Sequence, residues 1–271
     1  VDTNTDDATV GFDQSFNVQK QSKDLIQTDY VLPFGKNNQL ELGYRGDFNE
    51  LLTDFSVIND GLANSDFTDV IQYKEKINAL YSQFGKKFNK LSVLVGLRWE
   101  DSNIDINSLQ KSTFINKKYD NFFPSAFLTY ELKENSSASI SYSRRIQRPR
   151  GRQLIPFNNI SSNINIFQGN PDINPAMTDA VDLGYMKKWD KLTFSTSLYV
   201  NKTTDPFQFV RKNSGEVTSD GIPLIVATPI NLATEYRAGF EFTLNYSPYK
   251  WWRLNSNFNY FNIDTKGDYT Y

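Results

Sequence analysis

Apolar and polar residues alternate in long runs along this chain, and five of the runs end in a tight polar turn and resume at once. The pattern is clearest at 236–247. There Tyr236, Ala238, Phe240, Phe242, Leu244 and Tyr246 share one face, and Arg237, Gly239, Glu241, Thr243, Asn245 and Ser247 the other. A period of two puts successive side chains on opposite faces of a strand, here one apolar and one solvated. The next run repeats it, with Trp252, Leu254, Phe258 and Tyr260 against Arg253, Asn255, Asn257 and Asn259. Leu40, Leu42, Tyr44 and Phe48 oppose Glu41, Arg45, Asp47 and Asn49, and Ala138, Ile140 and Tyr142 oppose Ser139, Ser141, Ser143 and Arg145. The run 91–99 departs from the rule only at Leu94, which falls on the polar face.

With the weaker runs added, ten strands are predicted: 22–34, 38–57, 69–85, 91–104, 119–132, 137–147, 179–188, 191–210, 234–247 and 252–264. The short turns are Gly35–Asn38, Lys86–Asn89, Lys133–Ser136, Lys188–Lys191 and Pro248–Trp251. Long irregular connections are expected at 59–68, 104–118, 148–178 and 211–232. Most of these strands exceed the roughly 5–6 residues usual in globular sheets, and a tilted strand needs about 9–11 residues to cross a bilayer. Soluble sandwiches also alternate, so the distinction rests on strand length and loop asymmetry. Short turns on one side and long loops on the other are the pattern of a sheet that closes across an outer membrane. The expected fold is all-β, an antiparallel transmembrane β-barrel with short periplasmic turns and long extracellular loops. No segment carries a helical period, which argues against an α/β enzyme.

The mean hydropathy is negative, and no run of about 18 apolar residues exists, so a transmembrane helix is excluded. A barrel wall is not excluded, because every second residue points into a wet lumen. The chain has neither cysteine nor histidine. It therefore has no disulfide scaffold, thiol nucleophile or thiolate metal site, and no His-dependent triad. A net charge of −2 exerts no global pull on nucleic acid. Val1 does not open a signal peptide, so we expect either its prior removal or an internal piece of a longer protein.

Two polarities run along the expected barrel axis. Aromatic residues flank every short turn: Phe34, Phe84, Phe88, Tyr130, Trp189, Tyr249, Trp251 and Trp252. Such rings favour the membrane–water interface, where an apolar body and a polar edge are both satisfied. The same turns carry Lys36, Lys86, Lys87, Lys90, Lys133, Lys187, Lys188, Lys191 and Lys250, while acidic residues gather toward the long loops.

The most distinctive stretch runs from Ser141-Tyr-Ser-Arg-Arg-Ile-Gln-Arg-Pro149 through Leu154-Ile-Pro-Phe157 and Gly169-Asn-Pro-Asp-Ile-Asn-Pro175 to Val181-Asp-Leu-Gly-Tyr185. This series resembles the TonB-dependent-receptor-type outer-membrane β-barrel family common in Bacteroidota, in which four such motifs follow in this order. Three positions depart from the family pattern: Ala176 replaces a usual Glu, Ile173 a usual Leu, and Asp182 the Glu of the strand start. Physical roles follow from the residues alone. Pro149 and Pro156 end ladder pairing because neither has an N–H to donate. Gly169-Asn170-Pro171 is turn chemistry, and Pro175 fixes the chain before the next strand. The motif residues Pro149, Pro156, Phe157, Gly169, Asn170, Pro171, Pro175, Asp182, Gly184 and Tyr185 thus read first as architecture, a long loop folded back over the barrel mouth.

Arg144, Arg145, Arg148, Arg150 and Arg152 form the one dense basic patch. Alternation turns Arg145 toward the lumen and Arg144 outward, toward lipid headgroups. A guanidinium binds carboxylate or phosphate through a planar fork, so Arg145, Arg148 and Arg152 are the candidate contacts for an anionic solute. Lipopolysaccharide phosphates outside are a second possibility, and pairing with acids such as Asp172 and Asp179 is the purely structural one. The patch lacks the wide basic face that nucleic acid binding uses. Asp2-Thr-Asn-Thr-Asp-Asp7 places oxygen ligands at alternate positions but lacks the glycine and closing glutamate of a calcium loop. No metal or cofactor is assigned. Glu100 and Asp101 are adjacent on a strand and point to opposite faces, which does not suit a glycosidase pair.

The resemblance implies a barrel of about 22 strands around a plug, of which this chain supplies about ten. We read residues 1–271 as one incomplete β-barrel region, with the plug domain and the closing C-terminal strand outside it. By resemblance, the parent takes up a scarce solute when a TonB-type energiser moves the plug, and its surroundings are outer-membrane lipid and lipopolysaccharide. No covalent chemistry is expected. A self-contained barrel acting as a passive pore or adhesin, a soluble carbohydrate-binding module and a His-free carboxylate hydrolase are the competing readings.

Overall fold

The computed structural model describes residues 13–59, 61–65, 68–155, 158–162, 165–217, 221–232 and 234–267. Ten long strands form one antiparallel sheet, the wall. They are β1 (Asp13–Phe34), β2 (Asn38–Asn59), β4 (Asp69–Phe88), β5 (Leu91–Ser108), β6 (Thr113–Lys133), β7 (Ser136–Gln147), β10 (Ala176–Lys188), β11 (Leu192–Thr204), β14 (Thr234–Tyr249) and β15 (Trp252–Lys266). They lie side by side in that order, and the two-residue β3 (Leu62–Ala63) adds to β2. β1 and β15 are not paired with each other, so the described wall is an arc. A second, four-stranded sheet has the order β12 (Phe207–Val217), β13 (Pro223–Asn231), β9 (Asn165–Gln168), β8 (Asn158–Ser162). Its β13–β9 pair is parallel.

All five short turns form, and they form at one end. Positive φ at Gly35, Asn37, Asn89 and Asn135 lets the chain reverse tightly, a conformation that glycine and asparagine tolerate best. Neighbouring turns are stitched together by backbone bonds. Lys87 N donates to Asn37 O (3.0 Å), Glu131 N to Lys90 O (2.8 Å), Lys188 N to Asn135 O (2.8 Å) and Ser247 N to Lys191 O (2.8 Å). The turns therefore lie in one row.

Register confirms the assignment of faces. Phe242 pairs with Thr196 and Phe258, and Phe240 with Leu198 and Tyr260. Their rings make a continuous aromatic ladder: Phe194–Phe242 at 6.2 Å, Phe242–Phe258 at 5.4 Å and Phe240–Phe258 at 5.6 Å between centroids. On the opposite face Ser197 donates to Glu241 (3.1 Å) and Tyr199 to Asn259 (3.0 Å). Tyr199 lies flat across Gly239, whose absent Cβ would sit 2.7 Å from the tyrosine oxygen. Tyr81 lies across Gly43 in the same way.

Three expectations are corrected. The segment 104–118 is no irregular loop: β5 continues to Ser108 and β6 starts at Thr113, with a tight turn that places Ser112 at φ 52°. Polar residues in this stretch hid the alternation of Ile104, Ile106 and Ile115 on one face. The strand expected over 191–210 breaks at Asp205, which has φ 55°, and at Pro206, which offers no N–H. Beyond the break the chain leaves the wall and enters β12. The connection 211–232 is accordingly a hairpin, β12–β13, instead of an irregular loop.

β1 and β2 have 22 residues each, about 70 Å at ~3.3 Å per residue. Crossing needs about half of that length, so these strands stand well clear of the membrane at the long-loop end. There the polar face becomes apolar, and Tyr73, Ile104 and Ile106 are buried against Leu154 and Ile173 of the connection 148–175. This small core joins loop to wall, and Phe207 at the start of β12 packs against it.

Opposite faces make opposite predictions. Phe242→Arg places a charge in the aromatic ladder and costs about 2–4 kcal/mol near the bilayer midplane, whereas Thr243→Arg costs much less. Equilibrium folding of the full-length protein into lipid vesicles measures both; equal costs overturn the face assignment.

Candidate functional site

The polar face of the wall carries a charged network across β1, β2, β4 and β5. Register sets Gln27, Arg45, Ala79 and Glu100 in one row and Asp29, Gly43, Tyr81 and Arg98 in the next. Because Gly43 has no side chain, Tyr81 reaches over it and donates to Asp29, to which Gln27 also donates at 2.9 Å. Arg45 forks onto Asp47 (2.8 and 3.3 Å), and Arg98 Nε donates to Glu100 at 2.6 Å. Arg98 also lies over the Tyr81 ring, 5.5 Å from its centre. These two Arg–acid pairs are two residues apart on one face, so the signal for them was present in the sequence as Arg45-x-Asp47 and Arg98-x-Glu100. Their convergence needed the strand register.

The long connection is fastened to this network. β7 ends at Gln147, and Arg148 turns inward, donating through Nη2 to Glu100 (2.5 Å) and Ser102 (2.7 Å). The pair is largely shielded, with Arg148 and Glu100 side chains 15% and 10% exposed. Pro149 is fully buried behind it. A single helical turn, α1 (Gly151–Leu154), then sits on the Tyr73 ring. Gly169 packs so closely on α1 that any Cβ would strike the carbonyl oxygens of Arg152 and Ile155. Glycine is required here for the close approach.

The rest of the motif completes the clasp. Asn170 N donates to Gln153 O (2.7 Å), its side chain donates to Pro229 O (3.2 Å) and accepts from Asp172 N (2.9 Å). The Asp172 contact spans Pro171 as an Asx turn. Asn174 N donates to Asn231 Oδ1 (2.6 Å), and Asn231 returns a bond to Asn174 O (2.9 Å). Pro175 leads into β10, whose first residue Ala176 is almost fully buried. Further along β10, Asp182 accepts from Ser141 (3.4 Å), Gly184 makes room for Ser139, and Tyr185 lies on the apolar face among the girdle residues. Pro156 and Phe157 lie outside the described residues, as does the acidic stretch 2–7.

The arginines separate into different environments. Arg144 faces outward and forks onto Asp179 (2.8 and 2.9 Å), which also accepts from Tyr142 (2.7 Å). With side chains 40% and 28% exposed, this pair contributes at most about 1 kcal/mol. Arg152 is exposed and stacks on Phe167, 4.4 Å from its centroid. Arg145 points to the polar face, is exposed, and has no hydrogen bond or ion pair among the described residues. Among the described residues no group of three or more acidic side chains is arranged to hold a metal.

A profile of the Outer membrane protein beta-barrel family matches residues 2–271. The chain belongs to that family. Its polar face is thus the lumen, its aromatic face meets lipid, its short turns are periplasmic and its long loops extracellular. Among curated proteins no sequence matches it. Solved structures share the fold. The alcaligin outer-membrane receptor FauA of Bordetella pertussis aligns over 95% of this chain and 41% of its own, with 15% identity and a TM-score of 0.63. The unliganded ferric citrate transporter FecA aligns over 94% of this chain and 37% of its own, at 12% identity and TM-score 0.67. The ferric yersiniabactin uptake receptor FyuA of Yersinia pestis covers 93% and 37%, at 11% identity and TM-score 0.64. The chain thus spans about two fifths of the length of these receptors.

Removing either half of the loop clasp loosens the mouth. Arg148→Ala removes one of the two guanidinium partners of shielded Glu100 and costs up to about 3 kcal/mol, the low end for breaking a buried pair, because Arg98 still holds the carboxylate. Limited proteolysis of the full-length protein then cuts within 148–175, while the wall stays folded. Adding Glu100→Ala to that variant costs less than the sum of the singles; strict additivity shows that the pair does not hold the loop.

Proposed function

We propose that this chain is a wall segment of a TonB-dependent receptor that imports a scarce anionic solute, with Arg145 as the principal lumen contact at the mouth. The observation that carries the reading is the contrast among three neighbouring arginines. Arg144 and Arg148 are each paired with a carboxylate, Asp179 and Glu100, whereas Arg145 between them stands exposed on the lumen face without a partner among the described residues. A free guanidinium in a wet lumen is suited to a carboxylate or phosphate on a solute. Arg152, held over Phe167, offers a second cation on the folded loop. Arg148 serves the site indirectly, by fixing that loop.

Further parts follow from the same reading. A plug domain fills the lumen and a TonB-type energiser moves it, both supplied by regions outside this chain. The solute class is anionic; siderophore, vitamin, glycan and peptide all remain compatible with the wall. The likeness to solute receptors of known structure supports this reading through fold alone. The wall acts by binding and passage, with no bond made or broken.

Arg145→Ala in the full-length protein is expected to weaken solute binding at least tenfold, because a charge-assisted hydrogen bond is worth about 1.5–3 kcal/mol. Barrel abundance stays unchanged, and Arg145→Lys recovers part of the affinity, since the planar fork is lost. Uptake of labelled solute beside an immunoblot of outer membranes measures both. A fall in abundance with no change in affinity per folded barrel assigns Arg145 to structure.

A further inference from the structure

The lipid-facing wall ends at the periplasmic turns in a row of cations that solute uptake does not use. Lys36, Lys90, Lys133, Lys188, Lys191 and Lys250 are exposed there, and none makes an ion pair with a carboxylate among the described residues. Two neighbours are occupied: Lys87 pairs with Glu131 at 2.8 Å, and Lys187 donates to Glu134 O at 3.2 Å. The bonds that stitch turn to turn hold these lysines in one line. Like charges in a fixed line repel one another, so the row is poised for an anionic surface.

Aromatic rings set the depth of that line. Phe34, Phe88, Tyr130, Trp189, Tyr249 and Trp252 are exposed beside it, and Trp251 is 81% exposed. Tyr249 and Trp251 stack at 5.7 Å, and Lys191 lies 5.9 Å from the Tyr249 ring centre. Lys86 sits 4.5 Å from the Phe88 centre and Lys187 6.0 Å from that of Trp189. Rings of this kind settle at the headgroup level, which puts the ammonium groups among headgroup phosphates. The opposite rim of the lipid face is different: Lys74 and Arg144 are paired with Glu50 and Asp179.

We infer that the lysine row is a binding surface for the phosphates of anionic phospholipids in the periplasmic leaflet. An ammonium is a compact, strongly hydrated point charge, suited to a mobile phosphate more than to a fixed planar ligand. The exposed rings beside the lysines favour lipid over a soluble acidic protein, which would bury no acyl chain against them. The inference rests on the outer-membrane family and its orientation, and is independent of the solute.

The full-length protein is folded into phosphatidylcholine vesicles with and without phosphatidylglycerol of the same acyl chains, and its folding equilibrium is titrated with urea. Each lysine near an anionic surface is worth about fivefold, so phosphatidylglycerol is expected to favour folding of the wild type at least tenfold, less so at high salt. Replacing the six lysines by Gln abolishes the difference. Replacing them by Arg retains it, which separates charge from misfolding. A control set with equal charge change, Lys20, Lys23, Lys74, Lys76, Lys117 and Lys118 to Gln, keeps the wild-type lipid dependence. Native mass spectrometry in mixed-lipid nanodiscs is expected to show retained phosphatidylglycerol on wild type and not on the Gln set. Equal folding of the wild type in both lipids, or equal loss in the control set, overturns the inference and leaves the row to an acidic periplasmic protein.

Discussion

A bilayer offers no hydrogen-bond partner, so each backbone N–H and C=O in its hydrocarbon must be paired within the protein. Between its two edge strands the wall meets that constraint with a continuous antiparallel ladder from β1 to β15. Period-two alternation is the consequence, since a paired strand has one face for lipid and one for water. Where the constraint lapses, the chain behaves differently. Beyond Thr204 a residue with positive φ and a proline interrupt the wall, and a small mixed sheet with a parallel pair replaces the regular ladder. Such irregular backbone is tolerated because water or protein surrounds it.

The long loop is held by two unlike interactions at the same place. Leu154 and Ile173 bury apolar surface on Tyr73, Ile104 and Ile106, which is strong but sets no orientation. Arg148 supplies the orientation, because its Nη2 donates to both Glu100 and Ser102, and hydrogen bonds are directional. A shielded pair of this kind adds little net stability over an apolar substitute. Its consequence is placement: with Arg148 turned inward and Arg144 held outward by Asp179, the chain direction through Arg145 is fixed from both sides.

The wall was legible in the sequence because its rules are local. Alternation in 236–247 and the Gly/Asn turns at 35, 37, 89 and 135 act through adjacent residues. The same local rule failed where alternation continued past its cause: 191–210 alternates through Asp205–Pro206, yet the ladder stops there. It failed in the other direction at 104–118, where Asp and Asn on the outer face look like a loop although the inner face carries Ile104, Ile106 and Ile115. The architecture of 148–175 was readable from Gly169, Asn170 and Pro175 as turn chemistry. Their partners were not, because Gln153, Pro229 and Asn231 are fixed only by the tertiary fold. Within the basic patch, alternation alone separates Arg144 from Arg145, whereas the inward turn of Arg148 and the stacking of Arg152 on Phe167 depend on the tertiary fold.

That division follows from alternation meeting a strand end. On β7, Arg144 and Arg145 must face opposite sides, so one is available to lipid headgroups or an outward acid and the other to the lumen. Arg148 lies just past the strand, where alternation no longer applies, and its direction is set by the buried Pro149 and by Glu100. Glu100 itself is held ready by Arg98 on the same strand face. The carboxylate is therefore shared by two guanidinium groups, while Arg145 makes no ion pair among the described residues. For the proposed receptor, an exposed lumen arginine with no such pair is a better candidate for an external anion than a member of the cluster chosen by charge density alone.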